Sequence, residues 1–132
     1  MTLTAAFEQK LAKLAATPTH LFNRDFLLTW QRTEHELAAL LQIVDILEAM
    51  YVDGISTKVF ESGLGISLFR DQSTRTRFSF ASACNLLGLE VQDLDEGKSQ
   101  IAHGETLRET ANMISFMTET VGIRLVDRKS VV

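Results

Sequence analysis

The residues Leu64-Gly-Ile-Ser-Leu-Phe69, followed by Arg70-Asp-Gln-Ser-Thr-Arg-Thr-Arg-Phe78, decide the fold class of this chain. The first six form a short apolar run typical of a buried strand. The residues from Ser73 onward open a helical pattern that continues to Leu87 and is stopped by Gly88. We therefore predict a strand at 64–69 that leads directly into a helix at 73–87.

The remaining elements follow from apolar residues at helical spacing and from two capping-box patterns. The boxes are Thr33 with Glu36 and Thr106 with Glu109. In the first half of the chain we predict a helix ended by Thr17-Pro18 and a helix from Thr33 to about Met50. In the second half we predict a strand at 89–94 and a helix after Thr106 whose apolar stripe includes Val121. A last strand is predicted after Gly122, at 123–126. Strand, helix, strand, helix, strand predicts an α/β fold with a parallel sheet flanked by helices.

The start of the helix at Ser73 is a predicted anion site. First-turn N–H groups have no partner inside a helix, and the helix dipole places partial positive charge there. Ser73, Thr74 and Thr76 add hydroxyl donors, and Arg75 and Arg77 add forked guanidinium groups that match phosphate oxygens. Ligands of parallel sheets bind beyond the carboxyl ends of the strands, which is where these residues fall.

A plainer interpretation stays open for the same residues. Ser73 could simply cap the helix, with Arg75 and Arg77 solvated or paired with Asp71. Neither common nucleotide fingerprint is present, because the chain has no G-x-x-x-x-G-K-[ST] and the Gly63-Leu-Gly65 run lacks a third glycine. Residue types alone therefore identify the ligand only as an anion.

Composition agrees with one domain of ordinary globular character. The chain has 132 residues, 45% hydrophobic and 23% charged, and a formal net charge of −4 that argues against nucleic acid as the main partner. Its single cysteine, Cys84, forms no internal disulfide and is predicted to be a small core residue. No apolar run reaches membrane-spanning length, so no membrane partner is expected and a cytoplasmic location is the default.

Three motifs in the same order carry a family resemblance. Ser73-Thr-Arg-Thr-Arg77 after a strand is similar to the carbamoyl-phosphate motif of the aspartate and ornithine carbamoyltransferases. The run from Leu94 to Thr106, LDEGKSQIAHGET, resembles the loop of ornithine-type members that reaches into a neighbouring subunit's site. Val121-Gly-Ile-Arg124 resembles the strand end that carries a further phosphate-binding arginine. Each motif is specific, and together they make chance similarity improbable.

The resemblance extends from about Asp25 to Arg124. Leu28-Thr-Trp30, Ile55-Ser-Thr-Lys-Val-Phe60 and the segment from Asp93 to Thr106 most resemble the knotted YgeW-type carbamoyltransferases. The fold that the resemblance implies is the carbamoyl-phosphate-binding domain of such enzymes, at residues 1–124. The acceptor domain, with its His-Pro-x-x-Gln and His-Cys-Leu-Pro type motifs, is not in this sequence.

The resemblance also implies roles for particular residues. Arg75 and Arg124 would be the catalytic residues, and no cofactor or metal is needed. The residues that would bind carbamoyl phosphate are Ser73, Thr74, Arg75, Thr76 and Arg124, with Gln100 acting in trans from a neighbouring subunit. Helix geometry adds a role for Arg77: residues two apart on a helix do not share a face, so Arg77 points elsewhere if Arg75 faces the ligand, and we expect it to brace the motif through a salt bridge. The implied assembly is a homotrimer, and the acceptor would be an amino-acid-like amine bound by the other domain.

Two regions leave alternatives open. The loop 95–105 contains Lys98, Ser99 and Gln100 as candidate groups for a neighbouring site, but its composition also suits a solvated loop, and His103 lacks a second metal ligand at suitable spacing. Residues 125–132 no longer resemble the family, which suggests a truncation or frameshift, or alternatively a divergent edge strand.

The rival functions are a non-catalytic module that binds a phosphorylated metabolite, and a degenerate fragment.

Overall fold

The computed structural model describes residues 5–69, 73–95, 104 and 106–124, with Arg124 described through its backbone alone. The chain divides into two compact units, Met1–Thr57 and Lys58–Val132. The predicted tail at 125–132 lies outside the described residues. No helix in the described ranges is both long enough and apolar enough to cross a bilayer.

The first unit is helical. Helix α1 spans Ala5–Ala16 and contacts helix α2, which spans Glu34–Val52; a short 3-10 turn lies between them at Thr29–Gln31. The predicted capping box of α2 is confirmed, since the Thr33 hydroxyl accepts from the N–H of Glu36 and the Glu36 carboxylate accepts from the N–H of Thr33. Asp53 and Gly54 follow the helix end as expected, with Gly54 at φ 68°.

The second unit contains the sheet. Its elements are strand β1 (Leu64–Phe69), helix α3 (Thr74–Leu87), strand β2 (Glu90–Asp93), helix α4 (Leu107–Ser115) and strand β3 (Thr120–Arg124). The strand order is β2-β1-β3, and both pairings are parallel. The α/β fold with a parallel sheet is therefore confirmed, and β1 has the predicted bounds. Helix α3 packs against β1 and β2 and ends at Gly88, whose φ is 99°.

The prediction for the last helix and strand was wrong in its boundaries. Helix α4 ends at Ser115, and Val121 belongs to β3 instead of the helical stripe, where it pairs with Ile66 of β1. Gly122 lies inside the strand and does not precede it. Thr120 and Val121 are β-branched and favour strand, while the Thr118 hydroxyl donates to the Ile114 carbonyl just beyond the helix end.

The core of this unit forms where β1 meets α3. Ile66, Phe69 and Cys84 are buried, and the Phe69 and Phe80 rings make an edge-to-face contact with centroids 5.7 Å apart. Close packing requires Gly65, because a Cβ there would lie 2.9 Å from the Cys84 sulfur. Cys84 is thus confirmed as a small core residue, and its burial raises the pKa of the thiol, which makes it a poor nucleophile.

Candidate functional site

Helix α3 begins at an N-cap residue whose own side chain does not cap the helix. Ser73 occupies the N-cap position in an extended conformation, but its hydroxyl makes no capping bond to a backbone N–H and instead lies 2.9 Å from the Thr76 hydroxyl. Helices α2 and α4 both begin with complete capping boxes. The interpretation in which Ser73 only caps the helix is therefore wrong. The Ser73 and Thr76 hydroxyls thus belong to the first turn of the helix, where an anion is favoured.

The two arginines of the motif have different surroundings. Arg75 is exposed and, in the part of the chain that the structure describes, makes no hydrogen bond or ion pair. Thr74 beside it is also exposed. Arg77 is engaged: one guanidinium nitrogen donates to the Asp93 carboxylate at 2.6 Å and the other to the Phe69 carbonyl at 2.5 Å. The predicted bracing salt bridge of Arg77 is confirmed, with Asp93 as a partner; Asp71 lies outside the described residues.

Asp93 joins three elements at the end of β2. The carboxylate oxygen that accepts from Arg77 also accepts from the Ser67 hydroxyl at 2.6 Å. Ser67 is 4% exposed, in the middle of β1, and is paired in register with Asp93. The Arg77 guanidinium also lies over the Phe69 ring, 5.8 Å from its centroid. The ends of β1 and β2 and the first turns of α3 are thereby linked through charged and hydroxyl groups.

The strand ends bring the backbone of Arg124 and the segment that leads to Ser73 to one edge of the sheet. Phe69, which ends β1, is paired with Arg124, which ends β3, so the backbone of Arg124 lies beside the strand that leads to Ser73. This neighbouring placement is what the parallel topology predicted. The Arg124 side chain and the residues Lys98, Ser99, Gln100 and His103 lie outside the described residues, and their assigned roles stay predictions.

The arrangement suits a phosphate group. One hydroxyl of the Ser73–Thr76 pair, the exposed guanidinium of Arg75 and the first-turn N–H groups can donate hydrogen bonds, and a phosphate at neutral pH is mainly an acceptor. Because residues two apart on a helix do not share a face, the engagement of Arg77 with Asp93 leaves Arg75 directed to a different side of α3.

Sequence reasoning missed Ser67 and Asp93 as members of this site. The available signal was a polar residue inside an otherwise apolar strand and a carboxylate at the end of the next strand. Spacing along the sequence could not predict these contacts, because Ser67 and Asp93 are 26 positions apart and Arg77 and Asp93 are 16 positions apart.

The α/β fold with its three-stranded parallel sheet is that of the carbamoyltransferase class, and comparison with known proteins agrees. Residues 24–132 match the family described as aspartate/ornithine carbamoyltransferase, carbamoyl-P binding domain. The chain belongs to this family.

Individual relatives extend the comparison. YgeW of Escherichia coli (strain K12), provisionally named a carbamoyltransferase, is 67% identical over 106 residues, which are 80% of this chain and 27% of that protein. The aspartate transcarbamoylase of Trypanosoma cruzi, solved with aspartate and phosphate, shares the fold with a TM-score of 0.72 at 21% identity, over 82% of this chain and 34% of that one. The catalytic subunit of M. jannaschii aspartate transcarbamoylase gives a TM-score of 0.69 at 26% identity, over 80% of this chain and 36% of that one. The chain thus spans about a quarter to about a third of the length of these relatives.

Proposed function

We propose that this chain binds carbamoyl phosphate at the start of helix α3, as the carbamoyl-phosphate domain of a carbamoyltransferase. The whole enzyme would transfer the carbamoyl group to an amine of an amino-acid-like acceptor, which another domain holds. The observation that carries the proposal is the first turn of α3, where the Ser73 side chain makes no capping bond and Arg75 is exposed, in a chain of this family.

The charge of the ligand matches the donors. Carbamoyl phosphate carries about two negative charges on its phosphate at neutral pH. Ser73, Thr74 and Thr76 would donate through hydroxyls, and Arg75 would bind two phosphate oxygens through its fork. Arg124 would approach from the end of β3, since its backbone is paired with Phe69. Gln100 would complete the site from a neighbouring subunit.

The same groups would assist the reaction. As the amine attacks the carbonyl carbon, the bond to the phosphate oxygen breaks and the leaving phosphate gains negative charge. Donors already aimed at that oxygen stabilise the transition state more than the ground state. Arg75 and Arg124 would supply most of this stabilisation, and orientation of the two substrates would supply much of the rest. The step needs neither a covalent intermediate nor a metal ion.

The assembly is part of the proposal. A loop that donates Gln100 to a neighbouring site requires each subunit to serve the next, which a closed ring satisfies. We propose a homotrimer on this ground and on the resemblance of the 95–105 loop to that of ornithine-type members.

A calorimetric titration of the 132-residue chain with freshly prepared carbamoyl phosphate tests the proposal. We expect saturable binding that an equal concentration of sodium chloride does not produce. Inorganic phosphate should compete, because it presents the same oxygens to the turn. A protein that is folded by circular dichroism and takes up no carbamoyl phosphate would contradict the proposed function and favour a degenerate fragment.

A further inference from the structure

We propose that Asp93 is a positioning residue for the phosphate turn, here defined as residues 73–76, and that it acts through Arg77. The inference rests on the proposed function. Asp93 does not belong to the Ser73–Arg77 motif, and it would touch neither the ligand nor the reacting atoms. Its effect would be to hold the start of α3 where the turn can meet a phosphate.

The contacts place Asp93 at the junction of three elements. It ends β2, accepts from the buried Ser67 hydroxyl of β1 at 2.6 Å, and accepts from Arg77 of α3 at 2.6 Å. The Ser67 bond holds the carboxylate on the sheet, so the carboxylate can act as an anchor for the Arg77 side chain. The second guanidinium nitrogen of Arg77 reaches the Phe69 carbonyl, which ends β1.

Arg77 directly follows the phosphate turn along the helix. Its backbone N–H donates to the Ser73 carbonyl at 3.2 Å, so a displacement of the Arg77 backbone would also displace Ser73. Two side-chain bonds to two different strands restrain both the rotation of α3 about its axis and its distance from the sheet. Binding groups that need a defined geometry lose affinity when a support of this kind is removed.

Stability alone does not account for the arrangement. The Arg77 and Asp93 side chains are 36% and 48% exposed, and ion pairs at such exposure contribute little to the free energy of folding. A carboxylate near an anion site also repels the anion. If Asp93 acted only through its charge, its neutralisation would strengthen phosphate binding, whereas a positioning role predicts that binding weakens. The direction of the change in phosphate affinity therefore distinguishes a positioning role from a purely electrostatic one.

The test is Asp93→Asn, which removes the charge and keeps the shape, compared with Glu90→Gln. Glu90 begins the same strand, is exposed, and offers the same loss of one negative charge at the opposite end of β2. By calorimetry with carbamoyl phosphate, Asp93→Asn should weaken binding about tenfold, while Glu90→Gln changes it by less than about twofold. Unchanged or tighter binding by Asp93→Asn would overturn the positioning role.

A double-mutant cycle tests whether Asp93 acts through Arg77. In an Arg77→Met background, Asp93→Asn should cost less than about twofold further, because the link is already broken. A full additional tenfold loss would contradict action through Arg77. Ser67→Ala is the second route if Asp93→Asn does not fold: it releases the carboxylate from β1 and should weaken binding in the same direction, and unchanged affinity would overturn the inference.

The outcomes distinguish the two proposals. An unsubstituted chain that does not bind carbamoyl phosphate overturns the proposed function and this inference with it. An unsubstituted chain that binds, together with an Asp93→Asn variant that binds equally well, overturns only the positioning role. The midpoint of urea unfolding, measured for each variant, identifies a loss of binding that comes from unfolding.

Discussion

Arg77 and Asp93 meet at 2.6 Å between the first turns of α3 and the end of β2. Two arginines near a helix N-terminus are disfavoured by the helix dipole. The pairing offsets the cost for Arg77, which also donates to the Phe69 carbonyl. Arg75, two residues earlier, has no such partner in the described ranges 5–69, 73–95, 104 and 106–124. A bound phosphate would supply one.

Arg75→Ala is expected to weaken carbamoyl-phosphate binding by about 2 kcal/mol or more, since a charge-assisted, forked hydrogen bond is lost. Titration calorimetry measures the change. Arg24→Ala is the matched control, because Arg24 is an exposed arginine in the other unit and its loss changes the net charge equally. Equal affinities of the Arg75 and Arg24 variants would remove Arg75 from the list of ligands.

Gly88→Ala is expected to destabilise the chain by about 2 kcal/mol or more. Gly88 has φ +99°, and a Cβ there would lie 2.1 Å from the Phe60 carbonyl oxygen. Gly104 has the same φ but no neighbouring atom within 4 Å among the described residues, so Gly104→Ala should cost about 1 kcal/mol, from backbone strain alone. Urea unfolding of both variants separates the steric effect from the strain. Equal losses at the two positions would show that the contact with Phe60 has no consequence.

Gly122→Ala is expected to lower the free energy of unfolding by about 1 to 3 kcal/mol, because the added methyl would lie 2.5 Å from the Phe80 ring. A smaller side chain opposite should relieve the overlap. We therefore expect Gly122→Ala to cost less in a Phe80→Leu background than alone. If the cost is the same in both backgrounds, β3 and α3 do not pack as described.

The stability of the chain should depend on the ionisation of Glu36. The hydrogen bond from the Thr33 N–H is the main cause that holds the pKa of Glu36 below its ordinary value of 4.5. A carboxyl with a lowered pKa in the folded state stabilises the fold above its unfolded pKa, and this contribution is lost as the pH falls through the folded pKa.

Urea unfolding between about pH 6 and about pH 3 checks this dependence. The unsubstituted chain should lose more stability over that interval than Glu36→Gln, which keeps an acceptor but cannot titrate. Glu48→Gln, exposed on the same helix and outside the capping box, should follow the unsubstituted chain. Parallel curves for the unsubstituted chain and Glu36→Gln would contradict the assignment.

Local chemistry predicted much of the fold. The bounds of β1 followed from an apolar run with clear ends, and the starts of α2 and α4 from capping boxes at Thr33 and Thr106, which the structure contains. Gly88 marked the end of α3 because a left-handed residue at that position favours glycine. These signals lie within a few residues of the feature they specify.

Features set by distant contacts could not be predicted in the same way. Val121 fits the apolar stripe of α4 by spacing, yet pairing with Ile66 and the packing of Gly122 against Phe80 place it in a strand. The sequence indicated that Arg77 forms a salt bridge but did not identify Asp93 as its partner, since Arg77 lies on helix α3 and Asp93 lies at the end of strand β2. The partner depends on sheet order, which is a property of the folded unit.

The central claim is that carbamoyl phosphate binds at the first turn of α3, and a nuclear magnetic resonance titration of the ¹⁵N-labelled chain tests it most directly. We predict saturable shifts of the amide signals of residues 73–77 as carbamoyl phosphate is added, with the amides of helix α2 unchanged. If the signals of residues 73–77 do not move, or move without saturation alongside those of α2, the account is contradicted.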